Sequence, residues 1–137
     1  MKKINKAIND SDKKLYSIGE VNETVIKEAE RELGFNFPSE IKNFIKNYGS
    51  ISIGDIEIFG LGVKENSHLN IVNRTKEILS QNDLKEGNLV IEDLGDGHYA
   101  IYNENGVYEY AENTIIDKIE SSLEEYLYNR INELNNS

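Results

Sequence analysis

In the first third of the chain the hydrophobic positions recur every three or four residues, the spacing of one face of an α-helix. Residues 22–34, NETVIKEAERELG, begin with Asn22, which is suited to cap a helix, and end at Gly34, which tolerates the left-handed backbone found after many helices. Residues 37–49, FPSEIKNFIKNYG, start a second helix at Pro38 or at the serine after it and stop at a final glycine. The pattern predicts an αα-hairpin of two short amphipathic helices.

Alternating hydrophobic and polar positions follow, and this spacing is typical of β-strands. Residues 50–62, SISIGDIEIFGLG, alternate around Gly54 and Asp55, a dipeptide that favours a two-residue hairpin turn. The turn sequences GDG and NENG separate three later strands. These strands are predicted at NLVIEDL, HYAIY and VYEYA, residues 88–94, 98–102 and 107–111.

Two further segments have helical spacing. Residues 68–82, HLNIVNRTKEILSQN, have a helical or mixed pattern, and residues 115–134, IIDKIESSLEEYLYNRINEL, predict an amphipathic helix. The inner face of that last helix is predicted to hold Ile116, Ile119, Leu123, Tyr126, Leu127, Ile131 and Leu134. The order of elements predicts one α+β domain over residues 1–137, a mainly antiparallel sheet with helices packed on one face. Residues 1–16 form either a helix or a mobile N-terminal segment.

Composition narrows the class of protein. Hydrophobic residues make up 38% and charged residues 29% of the 137 residues, which is typical of a folded domain. The absence of cysteine excludes disulfides, a thiol nucleophile and a thiolate metal site. The N-terminus has a basic start without an apolar h-region, and no apolar run approaches the roughly 20 residues that span a bilayer. We therefore expect a cytoplasmic protein that does not bind membranes.

The negative charge is concentrated in the last third of the chain. Residues 1–85 contain 13 acidic and 13 basic side chains, whereas residues 86–137 contain 12 acidic side chains against Lys118 and Arg130, so the second range accounts for the net charge of −10. Such a region repels phosphate backbones, so no nucleic-acid partner is expected, and it would attract a basic protein instead. Acidic surface that only aids solubility is the alternative.

Residues 91–102, IEDLGDGHYAIY, place three carboxylates and a histidine within a few positions. A closed zinc site needs about four ligands, but His68, the other histidine of the chain, lies on a different predicted element. Glu92 and Asp93 are adjacent in a predicted strand, so they point to opposite faces and are poorly placed to act on one substrate atom. We expect no metal, no cofactor and no catalytic residue here.

A turn whose charges face a partner is the interpretation that fits this segment best. Six of the eight tyrosines lie between residues 99 and 128, and each either packs in the core or supplies a rigid interface anchor. Arg74 either contacts the partner or, as we favour, forms an internal bond to a carboxylate of the acidic third. The predicted partner-binding residues are Glu92, Asp93, Asp96, His98, Tyr102, Glu104, Tyr108, Glu109 and Tyr110.

Several stretches together resemble the SMI1/KNR4 (SUKH) family. Residues 29–49, AERELGFNFPSEIKNFIKNYG, are similar to its opening signature, an acidic helix ending in Glu-x-x-Leu-Gly, then Leu-Pro or Phe-Pro, and then a helix ending in Asn-x-Gly. Later landmarks follow in the family's order: IEIFGLG, IVNRT, LVIEDLGDG, GVYEYAEN and SSLEEYL. The resemblance covers roughly residues 20–130. Leu123 stands where a bulky aromatic often precedes the Glu-Glu pair of the final helix, a change that conserves volume.

The resemblance implies an SMI1/KNR4-like α+β domain without known catalytic residues. Many bacterial members are immunity proteins that bind and neutralise a cognate toxin domain, often a nuclease or deaminase, and this sequence looks most like Bacillus-type members encoded beside secreted LXG-class toxins. Eukaryotic relatives are regulatory binding modules. The hypothesis is therefore a stoichiometric antitoxin, and the alternative is a non-catalytic scaffold module. The toxin's identity, the face that binds it and the choice between monomer and weak dimer stay open.

Overall fold

The computed structural model describes residues 2–79 and 86–136, and these residues form five helices and seven strands. In chain order the elements are α1 Lys2–Asn9, β1 Leu15–Ser17, α2 Glu23–Leu33, α3 Ser39–Tyr48, β2 Ile51–Ile53, β3 Ile56–Ile58, α4 Ile71–Leu79, β4 Leu89–Gly95, β5 His98–Asn103, β6 Gly106–Ala111, β7 Thr114–Glu120 and α5 Leu123–Asn135. The predicted α+β class is confirmed. Within the described ranges no helix is both long and apolar enough to cross a membrane.

The strands form two antiparallel sheets, one in the order β1-β2-β3 and one in the order β4-β5-β6-β7. The predicted hairpin at Gly54 is confirmed, because Ile53 pairs with Ile56 across it. The N–H of Phe59, just after β3, donates a 2.9 Å hydrogen bond to the carbonyl of Ile91 in β4. This bond joins the small sheet to one edge of the large one.

The αα-hairpin forms as predicted because each of its ends is specified locally. The Asn22 side chain accepts a 3.2 Å bond from the Val25 N–H at the start of α2, and Gly34 ends that helix at φ 83°. The carboxylate of Glu30 accepts a 2.6 Å bond from the N–H of Phe37, which ties the loop back to α2. A capped start, a left-handed stop and a bonded loop together fix the connection.

Residues near the N-terminus include a docked helix. Ile4 and Ala7 of α1 are buried in the same hydrophobic core as the inner face of α5. Lys3 forms an ion pair with Glu125, and its ammonium lies 5.5 Å from the ring centroid of Tyr128. Of the two alternatives for this segment, the helix is therefore the one observed over residues 2–9.

The helix predicted to begin at residue 115 is wrong in its first part. Residues 114–120 form strand β7, and Ile116 and Ile119, predicted to face inward, are exposed. The chain reverses at Glu112 and Asn113, which have φ of 50° and 65°, the left-handed pair of a tight hairpin turn. The remainder of the prediction is confirmed: Leu123, Tyr126, Leu127 and Ile131 of α5 are buried, and Leu134 packs against them.

Local sequence signals mark where α5 begins. The Ser122 side chain caps the helix by accepting a 3.1 Å bond from the N–H of Glu125, the first half of a capping-box arrangement. Helix α4 confirms the helical alternative for residues 71–79, while the end of that prediction, residues 80–82, lies outside the described residues.

Candidate functional site

The nine residues predicted to bind a partner differ widely in exposure. Three are exposed, at the ends of strands: Asp93, Asp96 and Glu104. Three are half-buried: His98, Tyr108 and Glu109. Three are buried: Glu92, Tyr102 and Tyr110. The first six remain candidates for a surface site, whereas the last three need a different explanation.

The turns place the exposed acids at opposite ends of the large sheet. Asp96 and Gly97, both with positive φ, make the turn between β4 and β5, whereas Glu104 lies in the next turn, between β5 and β6. Since β5 has six residues and a strand rises about 3.3 Å per residue, the two turns are separated by roughly 20 Å. The turn between β6 and β7, with Glu112, returns to the end that holds Asp96.

Several of the predicted partner-binding residues lie close together at the end of the sheet that holds Asp96. The His98 ring nitrogen Nδ1 lies 2.6 Å from Oε2 of Glu109, which pairs the histidine of β5 with a carboxylate of β6. Asp93 accepts a 2.8 Å bond from the N–H of Gly95 and a 3.3 Å bond from Nη2 of Arg74. The internal role favoured for Arg74 is thereby confirmed, and its guanidinium also lies 5.1 Å from the ring centroid of Phe59.

The prediction for Glu92 is corrected because the residue is buried, and a β-bulge sets the face of the sheet on which it lies. Val90 pairs with Ile101 and Glu92 pairs with Ala100, so Ile91 lies between two consecutive pairs without a partner of its own. Alternate residues of a regular strand share a face, but the extra residue moves Glu92 to the face opposite Val90. On this face the carboxylate meets helix α5, and Glu92 is 2% exposed; the face that holds Val90 is buried as well.

Helix α5 supplies the partners of this buried carboxylate. The Tyr126 hydroxyl donates a 2.6 Å bond to Oε1 of Glu92, and Arg130 donates from Nε at 3.1 Å and also from Nη2. The bond to Glu92 raises the pKa of Arg130. Burial, followed by the nearby carboxylate, raises the pKa of Tyr126. Because an unpaired buried charge is costly, Glu92 is a structural link between β4 and α5 rather than a surface contact.

Tyr102 and Tyr110 are corrected as well, since both are core residues. The Tyr102 hydroxyl donates a 3.2 Å bond to Glu40 of α3. Burial, followed by that carboxylate, raises the pKa of Tyr102. Glu40 also accepts bonds of 2.9 Å from the N–H of Leu123 and 3.2 Å from the N–H of Glu124, so it caps the N-terminus of α5 from another helix.

Tyr110 ends near the β6–β7 turn, where its hydroxyl lies 3.3 Å from Oδ1 of Asn113. No pattern along the chain separates these core tyrosines from half-buried Tyr108, because all of them follow the same alternation. Their burial depends on tertiary contacts, such as the bond between Tyr102 and Glu40 of α3.

The sequence interpretation missed strand β7, which exposes a hydrophobic surface beside the surviving candidates. Ile115, Ile116 and Ile119 are 37%, 51% and 38% exposed. In the sheet register Tyr108 pairs with Lys118, and Glu109 pairs with Asp117. The signal for a strand was present in the sequence, because four of the seven residues in TIIDKIE are β-branched.

The described residues contain no group of three or more His, Asp or Glu side chains placed to hold a metal ion. Fold and site define an α+β domain in which acidic side chains lie on the turns and on one open edge of an antiparallel sheet. The chain belongs to the SMI1-KNR4 cell-wall family (SUKH_5), whose family model matches residues 1–132. This family includes immunity proteins, is associated with binding to toxins, and has generally non-catalytic members.

A solved structure has a similar fold. The crystal structure of a protein from Pseudomonas syringae pv. tomato superposes with a TM-score of 0.73 and 16% sequence identity, covering 91% of this chain and 92% of that chain. No curated protein sequence matches this chain. The structural likeness, at 16% identity, shows the fold alone.

Proposed function

We propose that this protein is an immunity protein that neutralises a toxin domain by forming a stoichiometric complex with it. The family includes immunity proteins, and the motif order resembles members encoded beside LXG-class toxins. A nuclease is the favoured target, because its substrate-binding cleft must be basic. The acidic surface would occupy that cleft or bind beside it and exclude the nucleic acid.

One observation supports this proposal most directly: part of the negative charge of the acidic third, residues 86–137, lies at the surface without a countercharge among the described residues. Its two basic residues are both engaged, Arg130 with buried Glu92 and Lys118 over the ring of Tyr108 at 5.8 Å. Exposed Asp117 and Glu112 have no ion-pair partner within residues 2–79 and 86–136. Such a field steers a basic partner and speeds association.

The affinity required is within reach of an ordinary interface. A complex with a Kd of about 1 nM corresponds to about −12 kcal/mol, and an interface of about 1,600 Å² in total can provide it when a few anchors are buried. Half-buried Tyr108 can serve as one anchor, since its large ring keeps a polar end. The charges would then govern encounter, and the buried anchors would slow dissociation.

The test is co-expression with the toxin domain encoded beside this gene, with cell survival and co-purification both measured. Rescue together with a 1:1 complex is the expected result. Survival without a complex would contradict sequestration and indicate chemistry on the toxin or its product. Absence of both rescue and binding would reject the immunity function in favour of the regulatory scaffold alternative.

Charge variants make the test specific to the acidic surface. Asp96→Asn removes one exposed carboxylate, keeps a residue that tolerates the left-handed turn, and should slow association at low salt. Glu28→Gln on α2 is the matched control, because it removes one exposed carboxylate from the electrically neutral part of the chain. Equal association rates for the two variants would contradict steering by this surface.

A further inference from the structure

The two edges of the large sheet differ in how their backbone groups are used. At β4, the N–H of Val90 donates a 3.0 Å bond to the Thr75 hydroxyl, and the carbonyl of Ile91 accepts from Phe59. At β7, no backbone segment other than β6 bonds to the strand within the described residues. The sheet can therefore be extended at β7 but not at β4.

Strand β7 also exposes more hydrophobic side chains than an edge strand in contact only with water would be expected to expose. Every residue from Thr114 to Ile119 is exposed, and three of the six large hydrophobic side chains exposed in the described part of the chain are its isoleucines. Scattered exposed apolar residues are common, but several on one open strand mark an interaction surface. The strand thus offers both free backbone groups and an apolar contact.

Electrostatic repulsion disfavours a second copy of this chain as the occupant. Asp117 lies in the middle of the strand and Glu112 in the turn before it, within the region that accounts for the net charge of −10, so two copies of this acidic region would repel each other. A partner of the opposite charge avoids this repulsion.

We propose that the open edge of β7 is the docking surface for an extended segment of the partner protein rich in Lys and Arg. The identity of that partner depends on the proposed immunity function, whereas the chemistry of docking does not. The segment adds as a strand beside β7, so its backbone bonds to the free groups of that strand. Its apolar side chains contact Ile115, Ile116 and Ile119, and its cations approach Asp117.

This surface is continuous with the candidates that remain from the sequence. Tyr108 and Glu109 of β6 pair with Lys118 and Asp117, so the partner's segment would lie one strand away from them. The isoleucines would form the apolar centre of the interface and the acids its polar rim, which is the usual arrangement of a specific interface.

The experiment uses the full chain and two synthetic peptides, one alternating Lys with Val and one alternating Glu with Val. Binding is followed by NMR through the backbone amide shifts of the protein. The Lys–Val peptide should shift the amides of residues 114–120 and protect them from hydrogen exchange, more strongly at low salt. The Glu–Val peptide should leave them unchanged.

Matched variants locate the contact. Ile116→Ser should weaken binding of the Lys–Val peptide by about tenfold or more, because it removes exposed apolar surface that the segment would cover. Ile18→Ser is the control, since Ile18 is 50% exposed, close to the 51% of Ile116, and lies outside the large sheet. Thermal unfolding of both variants checks that each stays folded.

Each alternative result overturns the proposal. Shifts outside β7, equal effects of the two variants, no binding of the Lys–Val peptide, or equal binding of the Glu–Val peptide would all do so. Concentration-dependent dimerisation that Ile116→Ser abolishes would assign the edge to a second copy instead. If the Ile116→Ser variant still neutralises a toxin with unchanged affinity, the immunity function stands and only the docking surface is rejected.

Discussion

The two edges of the four-stranded sheet show how the same backbone geometry can serve opposite purposes. Strand β4 is enclosed: Val90 bonds to Thr75 of α4, and Ile91 bonds to Phe59 after β3. Strand β7 is open and exposes three isoleucines. The edge at β4 is covered by other elements of the fold, whereas the backbone groups at the edge of β7 are free to pair with another strand. Protection of a sheet edge is thus a local property, determined by what the neighbouring elements cover.

The carboxylates near the two edges differ in the same way. Glu92 of β4 is buried and held by Arg130 and Tyr126, so it contributes to the attachment of α5. Asp117 of β7 is exposed without an ion-pair partner in the part of the chain that is described, so it contributes to the external field. Position in the sheet, rather than residue type, separates the structural acid from the candidate binding acid.

The largest effect on stability is expected at Glu92, the buried carboxylate of β4. Arg130→Ala should lower the free energy of unfolding by about 3–5 kcal/mol, because it leaves the Glu92 carboxylate buried without its countercharge. Urea unfolding measures the change. Arg31→Ala, which removes an exposed cation from α2, should cost less than about 1 kcal/mol. A similar small cost for both variants would show that Glu92 is not held by this pair.

The next largest effect on stability is expected at the β4 edge of the sheet. Thr75→Val keeps the shape of a side chain that is 1% exposed but removes the hydroxyl that accepts from the Val90 N–H, and should cost about 1–3 kcal/mol. The same substitution at exposed Thr114 on β7 is the control and should change stability by no more than about 0.5 kcal/mol. Equal costs in urea unfolding would contradict the difference between the edges.

A smaller effect on stability is expected from the ionisation of Tyr126 at high pH. The raised pKa of Tyr126 means that the folded state keeps this proton at pH values where the unfolded chain has lost it. Its stabilising contribution is therefore complete below the unfolded pKa of about 10 and declines as pH rises above that value, by at most about 1.4 kcal/mol per pH unit.

The measurement for this pH effect is urea unfolding of the wild type and Tyr126→Phe below and above about pH 10. The decline in stability with pH should be shallower in the variant, and the same comparison at neutral pH gives the cost of losing the hydroxyl. Parallel pH profiles would show that Tyr126 titrates alike in the folded and unfolded chain.

How much of this molecule could be predicted from its sequence depends on whether the determining interactions are local. The αα-hairpin could be predicted, because Asn22 and Gly34 define the ends of α2 within the segment itself. Strand β7 was missed, because Ile116, Ile119 and Leu123 also fit helical spacing and the turn at Glu112 lacks the usual glycine.

For the candidate site, the decisive information was not local. Glu92 was taken for a surface residue because its burial depends on α5, whose Tyr126 and Arg130 bond to it from 34 and 38 positions away. Tyr102 was misassigned because it packs in the core and its hydroxyl bonds to Glu40, 62 positions away. The internal bond of Arg74 was predicted correctly, since an arginine close to many carboxylates has few other ways to be satisfied while half-buried.

The smallest stability effect is expected at Ile116, and there the absence of a change is informative. Ile116→Ser should alter the free energy of unfolding by no more than about 0.5 kcal/mol, because a side chain that is 51% exposed on an open edge makes few internal contacts. If the same variant weakens partner binding, the isoleucine is retained for recognition rather than for folding. A large loss of stability in urea would instead show that β7 supports the sheet, and its exposed edge would then need no partner to explain it.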